Sequence, residues 1–154
     1  MLAPKIQKLL NQREFISVAT CDLTGQPNAV PKFFLKAEDR FIYLVDYTIG
    51  RTWENLKINP QVSLSFSELE MLHGYRINGR VEILEKGPGF ESLLSEVKEK
   101  TTALTVERVL TGVQQRKTHQ HFEVGIPEKF VIYKIKIEEI TEIGPQGELT
   151  KEAP

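Results

Sequence analysis

Strict two-residue alternation recurs three times in this chain, and it limits the fold more than any other feature. Val62, Leu64 and Phe66 alternate with Ser63, Ser65 and Ser67. Tyr75, Ile77, Val81 and Ile83 alternate with Arg76, Asn78, Arg80 and Glu82, and Val131, Tyr133, Ile135 and Ile137 oppose Lys134, Lys136 and Glu138. Successive strand side chains point to opposite faces, so each run has one apolar and one polar side. That is the pattern of antiparallel strands around one core, whereas a parallel sheet buried on both faces reads as continuous apolar runs. Gly79 interrupts the apolar face of its strand, where a bulge or a close backbone contact is expected.

The remaining elements follow from turn chemistry and helical spacing. Ile6, Leu9 and Leu10 share one face of a short N-terminal helix that Asn11-Gln12-Arg13 ends. Phe15 to Cys21 reads as a first strand and Asp22 to Pro27 as a hairpin connection; Asn28 to Lys36 and Arg40 to Val45 read as the next two strands. A short helix then runs to Asn59-Pro60, and Lys86-Gly87-Pro88-Gly89 stops the sheet. Phe90, Leu93, Leu94 and Val97, and then Val106, Val109, Leu110 and Val113, form two helical packing stripes, so two helices are expected over 89–118. A last strand spans Lys129 to Ile143, and the polar tail after Gly144-Pro145 reads as loose.

These elements predict a mainly β protein with helices. The architecture is a small antiparallel barrel with a short helix between strands 3 and 4 and a helical insert before the last strand. With 154 residues, 40% of them hydrophobic, the chain suits a single domain, 1–154, with a barrel core at 13–86 and 129–144 and the insert at 88–120. The net charge of −1 gives no reason to expect nucleic acid or an anionic membrane surface. No stretch approaches the roughly 20 apolar residues of a membrane span, and Met1-Leu2-Ala3-Pro4-Lys5 does not read as a signal peptide, so a cytoplasmic protein is expected. Cys21 is the only cysteine, which rules out an intrachain disulfide and a cysteine-based metal cluster; it reads as a small packed residue.

The candidate chemistry lies between the third and fourth strands, in Asp46-Tyr47-Thr48-Ile49-Gly50-Arg51-Thr52. Gly50 allows close approach of backbone to a ligand, and free N–H groups at the helix start favour a phosphate. Arg51 adds a charged fork and Thr52 a hydroxyl.

The order and spacing of these pieces resemble the FMN-binding split barrel of the pyridoxamine 5′-phosphate oxidase-like superfamily. The likeness rests on Phe15-Ile16-Ser17-Val18-Ala19-Thr20, the Asp-x-x-Gly-x-Pro turn from Asp22 to Pro27, the helix from Gly50 to Ile58 closed by Asn59-Pro60, and Ile77-Asn78-Gly79-Arg80-Val81. The resemblance implies that the backbone of Val30, Pro31, Lys32 and Phe33 holds the isoalloxazine edge, that Val45 and Asp46 border the site, and that Arg51 and Thr52 grip the FMN phosphate, with Asn55 in support. It also implies a homodimer with flavin at the subunit interface, and a small redox substrate or NAD(P)H as the reaction partner. F420 or haem, which some relatives bind, are alternative ligands, and a non-enzymatic flavin carrier is an alternative function.

True vitamin B6 oxidases place a basic residue near the end of the second strand, where Leu35 stands here, and their arginine- and tryptophan-bearing segment has no counterpart. The resemblance therefore implies an oxidoreductase with a different substrate, and no side chain is assigned as catalytic. Lys32 reads either as a strand residue with its head in water or as a charge partner for flavin. Trp53, spaced with Leu56, suits the buried face of the short helix, while Tyr47 flanks the phosphate loop or lids the core. His119 and His121 lack converging partners, so no metal site is expected. Glu68, Glu70, Glu138 and Glu139 read as solvated strand residues.

Overall fold

The computed structural model describes residues 2–115 and 129–154. His119 and His121 lie outside the described residues. The chain divides into two compact units, Met1–Glu85 with Phe130–Pro154, and Lys86–Lys129.

The first unit is an antiparallel barrel. Its strands are β1 (Phe15–Cys21), β2 (Pro27–Glu38), β3 (Phe41–Asp46), β4 (Gln61–Glu68), β5 (His73–Leu84) and β6 (Val131–Ile143), joined in the order β3-β2-β1-β4-β5-β6. Pairing of β3 with β6 closes the ring, with Leu44 opposite Tyr133. Closure removes the open edges that an antiparallel sheet would otherwise present. The alternation read from the sequence is reproduced, with Val62 and Leu64 of β4, Tyr75 and Ile77 of β5 and Ile135 and Ile137 of β6 buried in the core. Helix α1 (Pro4–Asn11) adds Ile6 and Leu10 to that core, and α2 (Arg51–Ile58) adds Leu56.

Two irregularities shape the barrel. At Gly79 the register with β6 shifts, and an added Cβ would lie 2.4 Å from the Lys136 carbonyl oxygen, the close backbone approach that the glycine forecast. In β2 the register with β3 shifts between Phe34 and Lys36, so Leu35 is an extra residue. The bulge breaks the alternation there, and Lys32, Phe33, Phe34 and Leu35 are all buried in succession.

The tail departs from expectation. Residues Leu149–Glu152 form β7, which pairs with β6 outside the ring. Gly147, at φ +81°, supplies the left-handed turn, the Gly144 N–H donates to the Glu148 carbonyl at 2.8 Å, and Lys151 reaches Glu139 at 3.1 Å.

The second unit holds a single-turn helix, α3 (Pro88–Glu91), and a 21-residue helix, α4 (Leu94–Gln114). Two helices were expected, but the break falls at Ser92-Leu93 and not between the two apolar stripes. No glycine or proline separates Val97 from Val106, so nothing stops the helix there. Val106, Leu110 and Val113 of the second stripe are exposed rather than packed. No described helix is long and apolar enough to cross a membrane.

Candidate functional site

The loop from β3 to α2 is built around one carboxylate. Asp46 ends β3 fully buried, and five donors converge on it. Its Oδ1 accepts from Lys32 Nζ at 2.8 Å, from Thr48 Oγ1 at 2.8 Å, and from the Thr48 and Ile49 backbone N–H groups at 3.0 and 3.3 Å. Its Oδ2 accepts from the Tyr133 hydroxyl at 2.5 Å. Burial alone would raise the Asp46 pKa, but hydrogen bonds from Lys32, Tyr133 and Thr48, together with the Lys32 charge, outweigh it and hold the carboxyl below its ordinary value. Burial and then donation to Asp46 push the Tyr133 hydroxyl well above its ordinary value.

Lys32 does not hold its head in water. Its residue is only 7% exposed, and its ammonium faces Asp46 and, at 2.7 Å, Thr48 Oγ1. Neighbouring strand residues point the other way. Pro31 is exposed, and Phe33, paired in register with Val45, belongs to a row of rings in which Phe15, Phe33, Tyr47 and Phe130 stand 6.0, 6.2 and 5.6 Å apart. Tyr47 is thus part of an aromatic row. Val30 faces inward with partial exposure, opposite Val18.

The start of α2 separates the two residues assigned to phosphate. The Arg51 side chain is 64% exposed, with Glu54 3.8 Å away and Asp22 near enough for the arginine to contribute to that carboxyl's lowered pKa, after hydrogen bonds from Thr24 and Gln26. Thr52 is 2% exposed, and its hydroxyl accepts from Asn28 Nδ2 at 3.2 Å. The first N–H groups of α2 have no partner within the helix. Gly50 is open: its φ is −120°, and a Cβ there would meet nothing within 4 Å. The left-handed residue is Ile49, at φ +44°.

Asn55 turns inward. It is 2% exposed and donates through Nδ2 to Thr20 Oγ1 at 3.1 Å, one turn along from the Thr52–Asn28 contact. Thr20 and Asn28 are register partners in β1 and β2, so α2 is pinned across that strand pair by two polar contacts. Trp53, expected in the core, packs partly against it and donates to Glu85 at 2.5 Å. Cys21 is half-buried, with its sulfur 3.4 Å from Asn59 Nδ2.

Of the nine sequence candidates, the structure joins Lys32 directly to Asp46, and it places Val45 and Phe33 side by side and Arg51 at an open helix start. A separate open cleft of about 670 Å³, lined by Thr20, Cys21, Ser63, Asn78, Glu138 and Glu139 among others, contains none of the nine. Sequence reasoning missed Thr48, Tyr133, Asn28 and Thr20 as partners. The Asp-x-Thr spacing of Asp46 and Thr48 is an Asx-turn signal that was available to it. Tyr133 lies 87 positions from Asp46 and carries no local signal.

A closed six-stranded antiparallel barrel with a short helix between its third and fourth strands is a split barrel. The sequence profile of the family described as pyridoxamine 5′-phosphate oxidase matches residues 2–144, and the chain belongs to that family. Heme oxygenase HutZ of Vibrio cholerae is 33% identical over 69 residues, 45% of this chain and 39% of that protein, so the match spans well under half of the curated relative's length. HupZ of Group A Streptococcus superposes with a TM-score of 0.68 at 24% identity, covering 94% of this chain and 95% of that one. A pyridoxamine 5′-phosphate oxidase-related, FMN-binding protein of Nostoc punctiforme has a TM-score of 0.62 at 14% identity, covering 99% and 97%. At these identities the two structural likenesses establish the fold.

Proposed function

We propose that this chain is an FMN-binding oxidoreductase whose substrate differs from that of the vitamin B6 oxidases. The observation that carries the reading is Arg51, a solvent-facing guanidinium on the first turn of α2, beside helix-start amides that have no partner within the helix and an open Gly50. Thr52 contributes by fixing the helix to β2 through Asn28, not as an exposed donor. The outer face of β2 at Pro31 and Phe33 is where the isoalloxazine edge would lie, and Lys32 supports it from inside the barrel. When bound, the flavin supplies the hydride or electron transfer, and the chain supplies binding and orientation.

The test is titration with FMN and riboflavin. FMN should bind more tightly, and Arg51→Ala should cost about 1.5 kcal/mol of FMN affinity, the low end for a hydrogen bond to a charged group because the site is exposed. Equal losses for both ligands would remove the phosphate assignment. The same reading includes a homodimer that shares the flavin; in sedimentation, a monomer that keeps full FMN affinity would contradict it.

The 33% identity to a haem oxygenase supports a second reading, with haem in place of flavin. The absorption spectrum of the purified protein separates the two, because bound flavin and bound haem have different visible spectra.

A further inference from the structure

We propose that Asp46 is a positioning residue that sets the direction of the β3-to-α2 loop and thereby aims Arg51 and the helix-start amides at the ligand phosphate. The inference rests on the phosphate reading above. Four of the five donors to Asp46 come from its own loop or from β2, and the fifth, Tyr133, comes from β6. The carboxylate therefore ties the loop to strands on both sides of β3.

A second observation lies two residues before Arg51. Ile49 is held at φ +44°, a region costly for a β-branched residue, and such strain persists only where the surroundings over-determine it. Its N–H is bound to Asp46, and its side chain packs against the core. A loop freed from Asp46 would let Ile49 relax to negative φ, and the chain would enter α2 along a different path. Thr48 completes the lock, because its hydroxyl accepts from Lys32 and donates to Asp46.

The experiment compares wild type, Arg51→Ala, Asp46→Asn and Tyr133→Phe, with amide hydrogen exchange in the flavin-free protein and titration with FMN and riboflavin. Tyr133→Phe keeps shape and charge and guards against loss of folding in Asp46→Asn. The expected result is at least tenfold faster exchange at Thr48 and Ile49 relative to core amides such as Leu64. A five- to tenfold weaker FMN affinity with riboflavin affinity unchanged should accompany it. Loss of protection spread evenly over the core in Tyr133→Phe, or faster loop exchange with an unchanged FMN-to-riboflavin ratio in either variant, would overturn the positioning role. A wild type that prefers FMN, and loses the preference in Arg51→Ala but in neither network variant, defeats this inference alone. A wild type with no preference for FMN defeats the phosphate reading and this inference with it.

Discussion

Among single residues, Asp46 has the most surroundings to answer to, and its effect on stability depends on pH in a defined direction. Its carboxyl is held below its ordinary value by Lys32, Tyr133 and Thr48. The stabilisation is therefore fully present above the unfolded pKa of about 3.9, and it is lost as pH falls through the lower folded value. Tyr133 runs the opposite way. Its raised pKa, to which burial, Asp46 and the Glu85 charge all contribute, gives stability that is lost as pH rises beyond about 10, where the unfolded tyrosine ionises first. Asp46→Asn should flatten the acid limb of a stability–pH profile. At neutral pH it should cost about 3–5 kcal/mol, because the Lys32 ammonium would remain buried without its counter-charge. Urea midpoints from pH 3 to 8 check this; an unchanged acid limb would mean that Asp46 is not the group responsible.

Elements were legible wherever a local pattern set them. The limits of β1 agree at both ends, the Gly79 irregularity was forecast, and Asn59 before Pro60 does end α2, with Asn59 in an extended conformation. What was missed depended on partners far away in sequence. The Leu35 bulge is set by how β2 meets β3, β7 needs the edge of β6, and the burial of Lys32 needs Asp46. The candidate site was legible in the same uneven way: the loop and helix start could be read from Gly50 to Thr52, but Thr52 facing inward toward Asn28 could not. Gly79 offers the test at this scale. Gly79→Ala would drive a methyl group to 2.4 Å from the Lys136 carbonyl, so β5 and β6 must part, at a cost of about 1–3 kcal/mol in a denaturant melt. A variant as stable as wild type would show that the bulge absorbs the methyl group.

At the scale of the whole molecule, membership of the pyridoxamine 5′-phosphate oxidase family fixes the barrel but not the substrate, since chemistry resides in side chains that the fold leaves variable. The position where the resemblance expects a basic group for the substrate phosphate is Leu35, a buried bulge residue with neither charge nor donor on its side chain. Two other basic residues, Lys36 and Arg76, have partners of their own. Lys36 lies 3.1 Å from Glu38 and 5.2 Å above the Tyr43 ring, while Arg76 contacts Thr141 at 3.3 Å and Glu139 at 3.6 Å. Loss of one charge-assisted contact costs about 1.5–3 kcal/mol, or roughly ten- to a hundredfold in substrate affinity, without disturbing the fold. FMN-saturated protein should therefore form little pyridoxal phosphate from pyridoxamine 5′-phosphate and oxygen. Leu35→Lys is not expected to restore it, because the bulge buries that side chain. The assay is the absorbance of pyridoxal phosphate under air; turnover matching an authentic oxidase would show that the substrate phosphate is held by another basic residue and that the assignment of Leu35 is wrong.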